Sequence, residues 1–78
     1  SHQQARIIEI QVADGSPCAG QILRDVGWPK HAVLVAHLHK AEVKVPGAEA
    51  RILAGDRVIV ITREENIPDL LRLLHFRA

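Results

Sequence analysis

The stretch ADGSPCAGQILRDVGWP, residues 13–29, opens on Gly-Ser-Pro, runs through small residues, turns apolar and stops on another glycine and proline. Gly15 and Gly20 have the spacing of the two glycines of a phosphate-binding P-loop. That loop needs Lys and then Ser or Thr directly after its second glycine, to reach the terminal phosphates and hold the metal. Gln21 and Ile22 follow instead, so nucleoside triphosphate chemistry is excluded. The dinucleotide fingerprint Gly-x-Gly-x-x-Gly occurs nowhere in the chain. The remaining reading is a helix start, with Ser16 as N-cap and Pro17 at the first helical position, where its missing N–H costs nothing. Ala19, Ile22, Leu23 and Val26 recur at three and four residues as one apolar face. Gly27 is placed as the left-handed residue that closes the helix, and Pro29 prevents its resumption.

Around this stretch the chain alternates. ARIIEIQV (5–12) puts Ile8, Ile10 and Val12 on one face and Glu9 and Gln11 on the other, the period of a half-buried strand. AVLVAHL (32–38) is a continuous, β-branched apolar run, read as a central strand buried on both faces. EVKVP (42–46) alternates again, with Val43 and Val45 expected inward, and Pro46 marks a strand end or sheet edge. The short connection between these runs predicts a β-hairpin. Lys40-Ala41 is poor chemistry for a two-residue turn with positive φ at both positions, so a longer loop or a bulge is expected there. GAEARILAGD (47–56) reads as a surface excursion anchored by Ile52 and Leu53 and closed by a Gly55-Asp56 turn. RVIVIT (57–62) is a second central strand. NIPDLLRLLHF (66–76) is a helix with Asn66 as N-cap, Asp69 three residues on, and a core stripe of Ile67, Leu70, Leu71 and Leu74. The order β-α-β-β-β-α makes a small α+β domain, a sheet with two helices on one face.

Composition narrows the function. A chain of 78 residues holds one domain and buries about 60% of its unfolded surface, so self-association or a larger host protein is expected to complete it. Apolar residues are 47% and aromatic residues 3%, which requires an aliphatic core. The net charge is +1 with no Lys/Arg block, and Trp28 and Phe76 are the only large rings. Nucleic-acid binding is therefore excluded. No apolar run approaches the roughly 18 residues needed to span a bilayer, so no direct membrane insertion is expected. One cysteine makes no internal disulfide and points to a reducing compartment. Ser1 and His2 read as remnants of an expression tag, residues 1–5 as a lead-in and 6–76 as the domain.

Read together, V-x-x-G-S-P-x-x-G-x-x-L-R-x-x-G-W-P from Val12 to Pro29, V-L-V-A running through a hairpin to V-x-V-P, and I-L-A-G-D-R-V-I-V-I from Ile52 resemble the TrkA-C domain, also called the RCK C-terminal domain, over roughly residues 6–74. The resemblance implies a non-enzymatic, cytoplasmic regulatory and dimerisation domain of an ion channel or ion transporter. Potassium uptake systems, cation/proton antiporters and ClC-type chloride channels are such hosts. It also implies a homodimer, a parent membrane protein, no cofactor, and in some members a small ligand such as cyclic di-AMP in the cleft between copies. The alternative is a purely structural assembly module without a ligand. The family's cyclic di-AMP binders resemble one another in an Asp, an Arg two residues on and an Asn before the next strand. Gly27, Pro29 and approximately His31 stand at those positions, so a small anionic ligand other than cyclic di-AMP is the expectation.

The candidate ligand-binding residues are Trp28, Lys30, His31, His37 and His39. Trp28 suits packing in the core or at a dimer interface, or stacking on a ligand, and Lys30 and His31 retain capacity for an anion. His37 and His39 lie two apart in a strand and share a face, which would offer two metal ligands, with Glu42 the nearest third. Without a visible complete ligand set no metal site is expected. Cys18 falls where a helix macrodipole would activate a thiol. No general base accompanies it, and packing is its expected role.

Overall fold

Alternating Ile and polar residues make the first strand, β1 (Ala5–Gln11), in a computed structural model that describes residues 4–77. The tag reading of Ser1 and His2 lies outside the described residues. The further strands are β2 (Ala32–His39), β3 (Glu42–Lys44) and β4 (Arg57–Arg63), and one α-helix follows, α1 (Ile67–Leu74). The four strands form one antiparallel sheet in the order β1-β4-β2-β3. The small α+β class therefore stands. No helix among the described residues is long and apolar enough to cross a membrane.

The helix expected over residues 16–26 does not form. Turns occupy Pro17–Gly20, and Leu23–Asp25 is a single turn of 3-10 helix. Gly20 has φ +84, a left-handed conformation that ends helical propagation and that residues with a Cβ rarely adopt. Backbone groups that a helix would pair locally instead meet the excursion. Gly20 N–H donates to Ile52 C=O at 2.7 Å, Ile52 N–H to Gln21 C=O at 2.9 Å, and Leu23 N–H to Ala50 C=O at 2.8 Å. Leu23 and Val26 still reach the core. Gly27 is not among the positive-φ glycines, and the left-handed residue before β2 is His31, at φ 61. One α-helix and two irregular segments thus cover the sheet, where two helices were expected.

The core is aliphatic. Ile10, Val12, Ile52, Val58, Val60, Leu70 and Leu74 are at most 4% exposed. Ile52 anchors the excursion as expected, whereas Leu53 points to solvent at 40% exposure. The α1 stripe of Leu70 and Leu74 is fully buried, with Ile67 and Leu71 half-buried. Asn66 makes no cap; its side-chain amide donates instead to Lys30 C=O.

β2 and β4 are the interior strands, but only one of their faces is buried. Ile7, Val33 and Ile61 stand in register across β1, β2 and β4 and are 72%, 59% and 38% exposed. The sheet therefore presents an aliphatic outer face, which corrects the expectation of β2 buried on both sides; Val43 and Val45, expected inward, are 67% and 92% exposed. The hairpin is also tighter than expected. Two residues join β2 to β3, with Lys40 at φ 50 and Ala41 at φ 66, the left-handed pair of a type I′ turn. The irregularity lies instead within β2, where the register with β4 shifts between Leu34 and Ala36, a bulge at Val35.

Candidate functional site

The five candidate residues occupy the two ends of β2, about 20 Å apart for an eight-residue strand, and so form no single site. At the far end His37 and His39 do share a face, as their spacing requires. What they meet there is Asp56, the residue that leads into β4. His37 donates from Nε2 to Asp56 Oδ2 at 2.6 Å, and His39 from Nδ1 to Asp56 Oδ1 at 2.6 Å. The Leu53 N–H donates to Oδ2 at 2.9 Å. Asp56 is 2% exposed and His37 4%. Burial alone would push the Asp56 carboxyl up, but the bonds from His37, His39 and Leu53 and the charge of His37 outweigh it, and the group sits below its ordinary value. Among the described residues no group of three or more side chains is arranged to hold a metal ion. This node ties the β2–β3 hairpin to the turn before β4, where Gly55 at φ +89 and the Asp56 N–H to Leu53 C=O bond of 3.0 Å close a β-turn.

At the near end of β2, Trp28 is half-buried against the core and donates from Nε1 to Leu23 C=O at 3.3 Å. Lys30 and His31 are exposed, and their carbonyls accept from the Asn66 side chain and the Arg63 N–H. Cys18 lies in the core at 1% exposure and has no helix behind it. Burial pushes its thiol up, only partly opposed by the Ser16 hydroxyl 3.9 Å away.

The residues that a sequence reading missed are Asp69 and Arg72. With Pro17, Gly27, Pro29 and Leu73 they line a surface groove of about 400 Å³ between α1 and the irregular segment. Its walls are apolar, and its rim carries the Arg72–Asp69 ion pair, both side chains largely exposed. Asp69 accepts from one guanidinium nitrogen, leaving other donors of Arg72 for an anion. The acidic and basic groups absent at Gly27 and Pro29 are present on the same groove, contributed by the helix.

A family model, the TrkA-C domain, matches residues 7–75. The chain belongs to the TrkA-C domain family. Among curated relatives of this TrkA-C domain, the "Trk system potassium uptake protein TrkA" of Mycobacterium tuberculosis (strain CDC 1551 / Oshkosh) is 34% identical over 71 residues, covering 91% of the chain and 32% of the relative. The "Trk system potassium uptake protein TrkA homolog" of Archaeoglobus fulgidus is 27% identical over 64 residues, covering 82% of the chain and 15% of the relative. The chain thus spans a third or less of these relatives. Two solved structures share the fold at 25% identity. One, described as "Structure of RCK domain with cda", has a TM-score of 0.78 and covers 88% of this chain and 97% of its own. The other, the "RCK_C domain dimer of S.agalactiae BusR in complex with c-di-AMP", has a TM-score of 0.74 and covers 83% and 90%. The expectation that cyclic di-AMP is not the ligand finds no support in these neighbours. Gly27 and Pro29 carry no charge, but the Asp69–Arg72 pair of α1 stands on the same groove.

Proposed function

We propose that this TrkA-C domain is a non-catalytic, cytoplasmic regulatory module of a potassium uptake protein, one that self-associates and responds to a small phosphate-bearing ligand. The observation that carries the reading is the aliphatic outer face. Ile7, Val33, Val35, Val43 and Ile61 are each at least 38% exposed on one sheet, a surface that a free monomer leaves in water at a cost of about 25 cal/mol per Å². A second copy offers the same surface, so a two-fold pair covers both. The RCK_C dimer of BusR supports this choice of partner. The groove beside Arg72 supplies what the ligand needs: apolar walls, and a guanidinium free to form charge-assisted bonds to a phosphate oxygen. Regulation follows if the ligand binds the dimer with a different affinity from the separated chains, since equal binding shifts nothing.

Sedimentation velocity across a micromolar concentration series tests the dimer. The native chain is expected to populate a two-chain species, and Val33→Lys, which places a charge in the centre of the outer face, is expected to remain a folded monomer by circular dichroism. A native chain that stays monomeric throughout the series contradicts the reading.

A further inference from the structure

Arg72 does not line the groove alone. Asp69 precedes it by three residues on α1, so the two side chains share one face of the helix. Arg72 donates to Asp69 Oδ1, which leaves Oδ2 and the other guanidinium donors for a ligand. A phosphate taken by Arg72 therefore comes to rest against a carboxylate. Like charges side by side repel, and a carboxylate accepts but cannot donate. The arrangement favours a ligand that puts a hydrogen-bond donor next to its phosphate. Gly27 supplies a separate observation. It lines the same groove without a positive φ, and a Cβ there would meet nothing within 4 Å. Neither backbone conformation nor packing calls for glycine at this position, and the effect of the missing side chain is an open wall. Pro17 and Pro29 add rigid apolar surface beside it.

We infer that the Asp69–Arg72 pair reads a ribose: Arg72 holds a 3′-phosphodiester, and Asp69 accepts from the 2′-hydroxyl on the next carbon. This rests on the phosphate-ligand reading above and narrows the ligand to a ribonucleotide with a free 2′-hydroxyl beside its phosphate. Adjacency carries the choice. Asp69 and Arg72 are in hydrogen-bond contact, so the ligand's donor and its phosphate must be neighbours too. The N–H groups of a nucleobase lie across the sugar from the phosphate and are set too far from it. The 2′-hydroxyl is a donor on the carbon next to the one that carries the phosphate, and it is the group by which proteins tell ribose from deoxyribose. The base then lies along Gly27 and the two prolines, where an open wall and apolar surface suit a flat ring. Selection against the deoxyribose form is built in, because without the hydroxyl the carboxylate faces the phosphate with no donor between them.

Titration calorimetry of the whole chain with cyclic di-AMP and with its 2′-deoxy counterpart tests this. The native chain is expected to bind the ribose form about 10- to 100-fold more tightly, the worth of one hydrogen bond to a charged group. Asp69→Ala is expected to bring the two constants to within about threefold and to bind the deoxy form more tightly than the native chain does. Asp69 is largely exposed, so circular dichroism should stay unchanged. A merely structural loss weakens both ligands alike, and an unchanged ratio in Asp69→Ala overturns the inference. Glucose 1-phosphate has a hydroxyl beside a phosphate and no base. It is expected to bind at least about tenfold more weakly than cyclic di-AMP, and equal binding overturns the assignment to a ribonucleotide. Gly27→Leu fills the groove from a position with room for a side chain and is expected to abolish binding of both dinucleotides; undiminished binding puts the ligand elsewhere and overturns the inference. A native chain that binds both forms equally overturns the ribose reading and leaves the phosphate ligand standing. One that binds neither overturns both.

Discussion

Replacing Asp56 tests whether the His37–Asp56–His39 node holds the fold together. Asp56→Ala removes three hydrogen bonds, two of them from imidazoles at 2.6 Å, and leaves His37 with neither nitrogen paired, since its Nδ1 already has no partner. A bond to a charged group contributes about 1.5 to 3 kcal/mol, such losses within one network do not add fully, and breaking a buried pair costs about 3 to 5 kcal/mol. We expect about 4 kcal/mol for Asp56→Ala and about 2 kcal/mol for Asp56→Asn, which keeps one acceptor. A chain of this size has a total stability near 8 kcal/mol at about 0.1 kcal/mol per residue. With a urea slope of about 1 kcal/mol/M, the midpoint should fall by about 4 M for Ala and about 2 M for Asn, at one fixed chain concentration. The pH dependence has a definite sign. The folded Asp56 carboxyl lies below its unfolded value, so its stabilisation is complete above about pH 3.9 and is lost as pH falls through the folded value. Native and Asp56→Asn midpoints should therefore converge in acid. A fall of less than about 0.5 M for Asp56→Ala at pH 7 would refute the structural role given to the node.

At the hairpin, Lys40→Asn with Ala41→Gly installs residues that accept positive φ, and the urea midpoint should rise by about 1 M, for about 1 kcal/mol of relieved strain; a fall contradicts the type I′ geometry. Cys18 should resist alkylation by iodoacetamide at pH 7 until urea unfolds the chain, as a buried thiol held in its protonated form does. Complete labelling of the folded protein within minutes would place that thiol at the surface. Arg72→Ala should weaken binding of cyclic di-AMP in titration calorimetry by about 10- to 100-fold, the loss of one charge-assisted bond, while circular dichroism stays unchanged because the side chain is exposed.

Period-2 alternation places β1 and β3, continuous β-branched runs place β2 and β4, and the leucine stripe places α1, because each pattern is carried by the local chain. The segment 16–26 carried equally good local signals for a helix. Long-range pairing overrides them, since Gly20 adopts a left-handed conformation that residues with a Cβ rarely take and residues 20–24 bond to 48–52. The same kind of information hid the candidate sites. Gly55-Asp56 reads as a turn, and nothing local says that β4 lies beside β2, which is what delivers the carboxylate to both histidines. Asp69 and Arg72 read as the solvated face of a helix. Their place on the groove of Gly27 and Pro29 depends on where α1 packs.

In the proposed function, ligand occupancy shifts the association of this TrkA-C domain. The most direct test is the dimer dissociation constant, measured by sedimentation equilibrium with and without saturating cyclic di-AMP. A species of twice the 8.6 kDa chain mass is expected to tighten at least tenfold with ligand in the native chain and not in Arg72→Ala. A constant unchanged by saturating ligand would contradict the claim.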